Sequence, residues 1–413
     1  MPLFDHVVFL CSKCKRYGKG IGKNEVSKYV KAGGNIVFGM SPDFSVLNSH
    51  IASEFGLSFE NLLVVDQINY LPEESKNDSN STAISPRTTV ITDNLTDNGY
   101  ILPGLAKSKR ESQIYFRGVP HTISRKSPLI VNVMSAPSTS YALPMSSALD
   151  TSSQGLADSS YNGFNIKLAS VIQARNNARA AFVGSIDVFT NKFLRLNTKE
   201  NVYSNKDFIV DLTKWTFQET GVIKSLQTTH HKVGELEPLK RYRIKDTITF
   251  ETDISLYQDG KWVPYLANDV QLEIRMIDPY IRTTLTPSPN DQTSTKFSKD
   301  ITLPDKYGVF KFIVNYKRYG LSNLVLEKII PIEPLRHDQF PRFLTQAYPY
   351  YATSFFLLLG FVAICYLFIF VPDFSSTTTT TTSSTATTST PNPTKPHTPQ
   401  QLKKKSSKNL KSN

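Results

Sequence analysis

Apolar runs of strand length recur through the first half of the chain, separated by polar or helical stretches. They occupy residues 7–10, 35–39, 62–66 and 180–184. Helical patterns cover residues 25–31, with Asn24 in a capping position, and residues 166–175. Strands that alternate with helices indicate a parallel sheet covered on both faces. We therefore predict a doubly wound α/β domain over residues 1–200.

The second half follows a different pattern, in which apolar and polar residues alternate. Residues 249–257 and 261–265 flank an Asp259-Gly260 pair, which predicts a hairpin. Two further stretches place every second side chain on an apolar face, formed by Val270, Leu272, Ile274 and Met276 in one and by Phe310, Phe312, Val314 and Tyr316 in the other. Period-two strands at short spacing predict an antiparallel β-sandwich over residues 201–347.

One segment near the C-terminus is long and apolar enough to cross a bilayer. Residues 352–371 carry no formal charge and span about 30 Å as a helix. Tyr348, Tyr350 and Tyr351 precede them, and aromatic side chains suit the headgroup layer. We predict a membrane-proximal segment and one transmembrane helix over residues 348–371, followed by a disordered Ser/Thr/Lys-rich tail over 372–413.

The formal net charge of +12 raises the question of nucleic-acid binding. Much of the excess lies in the tail, in Lys395, Lys403, Lys404, Lys405, Lys408 and Lys411. No RNA-recognition, zinc-finger or basic-helix motif accompanies these lysines, so we expect no nucleic-acid partner. With 39% hydrophobic and 20% charged residues, the composition is that of a globular chain with room for two or three domains.

The cysteine content also limits the chemistry. Three cysteines are too few for a disulfide framework. Cys11 and Cys14 form a lone C-x-x-C with no second pair at zinc-ribbon spacing, so we expect incidental thiols that pair if oxidised. Cys365 lies in the apolar segment, where packing is its expected role. We predict no metal site and no cofactor in this chain.

Catalytic motifs are incomplete wherever they begin. The glycine-rich stretch 18–22 lacks the spacing and the ending of a phosphate-binding loop, which predicts a flexible turn. His230 and His231 have no nearby carboxylate or cysteine cluster, so they are expected to be surface histidines. No glycine stands two residues after Ser185, as a nucleophile elbow requires. We predict no catalytic residue.

The densest polar cluster follows the second helical pattern and continues past the next strand. Its candidate contact residues are Arg175, Asn176, Asn177, Arg179 and Asp187. Guanidinium and carboxamide groups at the end of a strand can hold a glycan or a partner chain. The same groups can cap helix carbonyls and fix the loop, which is the alternative we favour.

Three N-x-S/T triplets bear on which side of the membrane the folded region lies. They begin at Asn77, Asn80 and Asn94, and they are candidate N-glycosylation sites if that region is lumenal. The lysine-rich tail favours a cytosolic C-terminus. An export signal would then be needed, and Met1 does not begin one.

Several longer motifs occur in a fixed order along the chain. They are FRGVP (116–120), STSYA (138–142), VIQARNNARAAFVGSIDVFTNKF (171–193), WVPYLANDVQLEIRMIDPYIRTTL (262–285), PDKYGVFKFIVNY (304–316) and FLTQAYPYYATSF (343–355). With these motifs, the sequence resembles the forty-eight-kilodalton subunits of the oligosaccharyltransferase complex. The resemblance extends through most of the chain.

The resemblance implies a lumenal α/β domain of flavodoxin- or amidotransferase-like architecture, β-sandwich material and one transmembrane helix. It implies a non-catalytic subunit in the endoplasmic reticulum membrane, single-pass type I, with a cytosolic C-terminus. The expected partners are the multi-span catalytic subunit, the ribophorins and small hydrophobic subunits. The divalent metal is expected in the catalytic subunit and not in this chain.

The sequence departs from the family pattern at both ends. The family begins with a signal peptide and a further strand-helix unit ahead of the position of Met1, so an unpaired sheet edge is expected here. The family often ends in a dilysine-type retrieval signal, whereas Lys411 here follows Leu410. We therefore expect retention by partners.

Two other functions stay open on the sequence alone. The α/β domain could bind and transfer a glycan by itself, with Arg175, Arg179 and Asp187 at the site. Alternatively, the Thr-rich run at 377–382 could belong to the Ser/Thr-rich stalk of a cell-surface adhesion receptor. Glycopeptide formation by the isolated chain would favour the first, and a protease-accessible tail on intact cells would favour the second.

Overall fold

The computed structural model describes residues 4–18, 20–72, 87–108, 112–124, 127–144, 163–196, 202–235, 237–289, 292–340 and 345–370. The chain divides into a compact unit, Met1–Gln339, and a second unit, Phe340–Asn413, which contains the apolar helix. The first unit holds both an α/β part and a β part.

The α/β part contains short strands and helices in alternation. Its strands are β1 (His6–Phe9), β2 (Asn35–Gly39), β3 (Leu57–Phe59), β4 (Leu62–Asp66), β5 (Val90–Thr92), β6 (Ile114–Phe116), β7 (His121–Ile123), β8 (Ile130–Ser135), β9 (Ser140–Pro144), β10 (Lys167–Gln173) and β11 (Arg179–Val183). Its helices are α1 (Lys23–Lys31), α2 (Val46–Glu54), α3 (Pro103–Lys107), α4 (Asn191–Leu194) and α5 (Asn205–Thr216).

The main sheet is mixed, not parallel throughout as the sequence pattern predicted. Its strand order is β1-β2-β11-β10-β7-β3, and β8 also pairs with β10. Strands β1, β2 and β11 are parallel neighbours, while β10 runs antiparallel to β11, β7 and β8. Strand β4 pairs with β9 in a separate ribbon. The parallel prediction therefore holds for one side of the sheet.

Residues 166–175 were predicted as a helix, and this prediction is wrong. Residues Lys167–Gln173 form β10, whose five central side chains are all buried. A strand buried on both faces shows no polar alternation, so its apolar run cannot be told from a helix by periodicity. Strand β10 continues through a tight turn into β11, and this turn carries most of the predicted polar cluster.

Alternating side chains of the central strands pack into two hydrophobic cores, one on each face of the sheet, so both faces are covered. Phe38 of β2 and Phe182 of β11 pack with α1 and α2. Val37 and Ala181 point the other way, into a core that includes Trp215 of α5. Helix α5 therefore packs on the first sheet, although the predicted domain boundary lies before it, at residue 200; that boundary stays a prediction.

The β part consists of sheets that pack face to face. Its strands are β12 (Val222–Lys232), β13 (Tyr242–Arg243), β14 (Thr247–Gln258), β15 (Lys261–Pro264), β16 (Gln271–Arg275), β17 (Pro279–Thr284), β18 (Thr286–Pro289), β19 (Thr295–Thr302), β20 (Gly308–Tyr316) and β21 (Leu324–Glu333). One sheet has the order β12-β14-β19-β18, with β15 on β14, and another has the order β13-β21-β20-β16-β17. Phe250 of the first stacks on Phe312 of the second, with ring centroids 6.2 Å apart.

The predictions for individual strands of the β part are confirmed except at Met276, which lies past the end of β16 and is only partly buried. Strands β14 and β15 form the expected antiparallel hairpin, and Asp259 and Gly260 both have positive φ, as its tight turn requires. Val270, Leu272 and Ile274 are fully buried, and Phe310, Phe312, Val314 and Tyr316 are buried on β20. These strands bury one face only, so their alternation was readable from the sequence.

The apolar segment forms α6 (Tyr348–Phe370). The helix is long and apolar enough to cross a membrane, and its side chains are not buried within the protein. The predicted tail lies outside the described residues.

Cys11 and Cys14 are joined by a disulfide in the loop after β1. The loop is held against α2, because Asn48 donates to the carbonyl of Ser12 at 2.7 Å and Ser45 donates to that of Cys14 at 2.8 Å. Among the described cysteines, Cys365 is free.

Candidate functional site at the junction of the two parts

A loop of the β part is bound along its length by side chains of the α/β part. The loop joins β20 to β21 and comprises residues 317–323; we call it the junction loop. Three of its carbonyls accept from distant side chains: Tyr319 from Asn98 at 3.0 Å, Gly320 from Trp215 at 2.8 Å, and Leu321 from Gln173 at 2.7 Å. Such bonds to successive carbonyls fix the loop on the α/β part.

Asn177 completes this attachment from the turn between β10 and β11. Its Nδ2 donates to the carbonyl of Asn323 at 3.1 Å, and its Oδ1 accepts from the amide of Asn323 at 2.7 Å. Asn177 adopts the left-handed conformation, with φ of 67°, which asparagine tolerates better than most residues. Asn176, beside it, donates to the carbonyls of Val30 and Lys31 at the end of α1.

Arg179 is fully buried, and its guanidinium is bonded inside the protein. Nη1 donates to the carbonyls of Trp215 and Thr220 at 2.7 Å each, and Nη2 donates to that of Gly221 at 2.7 Å. The guanidinium also lies 4.5 Å from the centroid of the Trp215 ring. Burial lowers the pKa of Arg179 to about 9, so the side chain remains charged at neutral pH. Arg179 thus joins the end of α5 to the segment entering the β part.

The remaining predicted contact residues are placed differently. Asp187 lies after β11 and accepts from Nε of Arg117 at 2.8 Å. Arg175 is exposed in the turn between β10 and β11. The structure therefore brings Arg175, Asn176, Asn177 and Arg179 together in or beside one turn and leaves Asp187 away from it. Internal bonding, the structural alternative, accounts for both asparagines and for Arg179; a contact role for the five residues stays a prediction.

Adjoining clefts open on either side of Tyr319 at this junction. The first, which we call the tyrosine cleft, has a volume of about 850 Å³ and is lined by residues such as Asn98, Asn132, Tyr265 and Asp269. The second, which we call the basic cleft, has a volume of about 720 Å³ and is lined by Pro128, Leu129, Arg175 and Lys317, among others. Val131, Arg318 and Tyr319 line both clefts.

A chain of hydrogen bonds lies in the wall of the tyrosine cleft. The hydroxyls of Tyr265 and Tyr316 are 2.8 Å apart, and that of Tyr316 donates to Asp269 at 2.8 Å. Arg318 donates to the same carboxylate through Nε at 2.7 Å. Burial acts to raise the pKa of Asp269, but the bonds from Arg318 and Tyr316 hold it below its usual value.

Sequence reasoning about chemistry did not identify this network. Tyr265, Asp269 and Tyr316 are separated along the chain and match no catalytic motif. A signal was nevertheless present, because all three lie in the long motifs at 262–285 and 304–316.

The predicted glycosylation sites are only partly visible. Asn77 and Asn80 lie outside the described residues. Asn94 is half-buried, and its Nδ2 donates to the carbonyl of Ala136 at 3.0 Å. Use of these sites stays a prediction. Across the described ranges, no group of three or more His, Cys, Asp or Glu side chains is placed to hold a metal ion.

Family models match both parts of the chain. The model described as "OST48, N-terminal domain" matches residues 1–219, and the one described as "OST48 middle domain" matches residues 230–372. The chain belongs to the OST48 family. The resemblance drawn from the long motifs is therefore confirmed.

Curated OST48 relatives are similar over most of their length. The 48 kDa subunit of dolichyl-diphosphooligosaccharide–protein glycosyltransferase from Arabidopsis thaliana is 32% identical over 378 residues, which is 89% of this chain and 82% of the relative. The Caenorhabditis elegans subunit of the same name is 31% identical over 381 residues, 90% of this chain and 81% of the relative. The Danio rerio subunit is 29% identical over 377 residues, 89% and 80% respectively.

Proposed function

We propose that this chain is a non-catalytic, membrane-anchored scaffold subunit of the oligosaccharyltransferase complex. That complex transfers a preassembled oligosaccharide from dolichyl diphosphate to asparagine in N-x-S/T sequences of nascent proteins. Family membership supports a place in the complex, since the relatives bear the name of its 48 kDa subunit. In this proposal the reaction, and the divalent metal it uses, belong to the multi-span catalytic subunit.

The main support for a scaffold role is that polar residues at the junction form hydrogen bonds within the chain. Asn177 and Arg179 are among the five candidate contact residues for a binding or transfer site in the α/β part, and Gln173 precedes them in the same polar cluster. Their polar groups instead bond backbone groups of this chain. Bonds of this kind hold the α/β and β parts in one arrangement. A scaffold subunit needs such a fixed arrangement, because its partners bind to surfaces that move little on association.

Anchoring and orientation are supported by two other features. Helix α6 has the length and composition of a membrane span. The Cys11–Cys14 disulfide fits an oxidising compartment, as the lumen of the endoplasmic reticulum is. We therefore place the first unit in the lumen and the C-terminus in the cytosol. Ribophorins, small hydrophobic subunits and the catalytic subunit are the proposed neighbours, and helix packing in lipid supplies part of the contact.

Complementation in membranes tests this function. Cells depleted of the endogenous subunit receive the full chain or a chain in which an unrelated apolar helix replaces Tyr348–Phe370. We expect the full chain to co-purify with the catalytic subunit and to restore glycosylation of a reporter. The purified full chain, given lipid-linked donor and acceptor peptide, is expected to form no glycopeptide. Turnover by the chain alone would contradict the proposal.

A further inference from the structure

The basic cleft contains positively charged side chains that form no ion pair with the described acidic residues. Its described lining contains Arg175, Lys317 and Arg318 and no carboxylate. Arg318 is paired with Asp269 on the neighbouring cleft. For Arg175 and Lys317, which are both exposed, no described acidic side chain lies within ion-pair distance. Two cations at one concave surface therefore remain available to an outside anion.

Both cations stand on backbone that is already fixed. Arg175 lies in the turn that Asn176 and Asn177 bond at either side, and Gln173 bonds the junction loop just before it. Lys317 begins the junction loop, whose later carbonyls are bonded to the α/β part. A binding surface that is ordered before its partner arrives loses less conformational entropy on association.

The surroundings of these cations favour a polypeptide over a small anion. Phosphate sites usually use the N-terminus of a helix or a nest of backbone amides. Here α5 contributes Trp215 from its last turn, and the helix N-terminus does not line the cleft. The lining also includes apolar Pro128, Leu129 and Val131, and Tyr319, which is 61% exposed, stands between the clefts.

We propose that the basic cleft binds an acidic segment of a partner polypeptide, with carboxylates at Arg175 and Lys317 and an apolar side chain over Leu129 and Val131. Tyrosine and arginine, with tryptophan, are enriched among the residues that contribute most to binding at protein interfaces. The partner is a neighbouring subunit, and this identification rests on the scaffold function proposed above. Electrostatic attraction governs the contact, so it weakens as salt increases.

Site-specific photo-crosslinking of the full chain in native membranes tests this inference. Benzoylphenylalanine replaces Tyr319, and in a control chain it replaces Tyr307, which is comparably exposed at 69%. We expect the Tyr319 position to give a discrete polypeptide adduct. Its yield should fall roughly tenfold in the double variant Arg175→Glu, Lys317→Glu, since the charge of both contacts is reversed. Adducts from the Tyr307 position should be unchanged by the same variant.

Charge-preserving substitutions separate binding from folding. In Arg175→Lys, Lys317→Arg the adduct should persist, and both double variants should keep the protease resistance of the parent chain. An adduct that contains only lipid or glycan would overturn the inference, as would a polypeptide adduct that charge reversal leaves intact. Co-purification with the catalytic subunit is measured in the same membranes. If the unaltered chain is absent from the complex, the scaffold function itself has failed, whatever Tyr319 contacts.

Discussion

Asn177 and Asn323 exchange a reciprocal pair of hydrogen bonds, at 2.7 and 3.1 Å, across 146 positions of sequence. One residue lies in a turn of the α/β part, and the other ends the loop between β20 and β21. The carboxamide of Asn177 pairs with the peptide group of Asn323 as a neighbouring strand would. These two hydrogen bonds connect the α/β part to the β part of the first unit.

Replacing Asn177 should loosen this joint. Asn177→Gly keeps the left-handed backbone but removes both bonds, so we expect a loss of about 1–2 kcal/mol in the free energy of unfolding. Asn177→Ala adds backbone strain and should cost about 1 kcal/mol more. Thermal unfolding of the full chain in detergent measures both. Asn315→Ala, at an exposed position of β20, is the control and should leave the midpoint unchanged.

Arg179 should be far more sensitive. Arg179→Met removes three guanidinium hydrogen bonds, although the carbonyls of Trp215 and Gly221 still accept from the amides of Gln218 and Ser322. We expect a loss of about 3 kcal/mol in the free energy of unfolding. Arg179→Lys keeps the charge but cannot reproduce the planar fork, so it should rescue only part of the loss. Denaturant unfolding gives the values. Full stability of Arg179→Met would show that these bonds contribute little.

The matched control for Arg179 is Arg275→Met. Arg275 is exposed on β16, and its ionic neighbour Glu273 is 3.8 Å away. The change in the free energy of unfolding should stay within about 0.5 kcal/mol. A similar loss in both variants would mean that removal of any arginine, and not this buried one, destabilises the chain.

The lowered pKa of His121 predicts that the free energy of unfolding depends on pH. Burial, followed by the nearby charge of Lys167, lowers its pKa to about 3 from the ordinary 6.5. Between these values the unfolded chain binds a proton that the folded chain does not. Stability due to this group is therefore present above pH 6.5 and is lost as the pH falls towards 3, by at most about 1.4 kcal/mol per pH unit.

Comparison of variants isolates the contribution of His121, because other groups also titrate in this range. His230 acts in the same direction, since burial and then Lys328 and His231 lower its pKa as well. We expect His121→Gln to be less stable at pH 7.5, since Nε2 of His121 lies 2.7 Å from the Ser170 hydroxyl. Its stability should nevertheless fall less between pH 6.5 and 4 than that of the parent. Equal slopes in the two proteins would rule out this role.

The thiol content of the native chain is a further measurable consequence of the fold. With Cys11 and Cys14 joined, Cys365 is the thiol expected to react among the three cysteines of the chain. Mass spectrometry after denaturation and alkylation without reductant should find one modified cysteine, and three after reduction. Three without reductant would place the pair in its reduced form. A Cys365→Ser chain should give no modification before reduction.

The sequence identified many residues of the candidate site, but it did not show which groups these residues contact. The cluster from Gln173 to Arg179 stood out by its density of polar side chains. Its bonding partners are Leu321 and Asn323 in the junction loop, Trp215 at the end of α5 and Gly221 just before β12. They are distant along the chain and belong to no motif of their own. Lys317 and Arg318 likewise belong to no motif that the sequence analysis identified. The basic cleft exists only where the junction loop meets the turn between β10 and β11.

The sequence by itself determined the elements that bury one face or none. Strands such as β16 and β20 alternate because water covers their outer side, and α6 is uniformly apolar because its surroundings are expected to be lipid. Only the tertiary structure decided that the doubly buried residues Lys167–Gln173 form a strand, β10, and that this strand runs antiparallel to its neighbours. It also decided which of the cationic side chains, Arg179 or Arg175, lies inside. Burial of that kind depends on contacts between residues far apart in the chain, which a local pattern cannot encode.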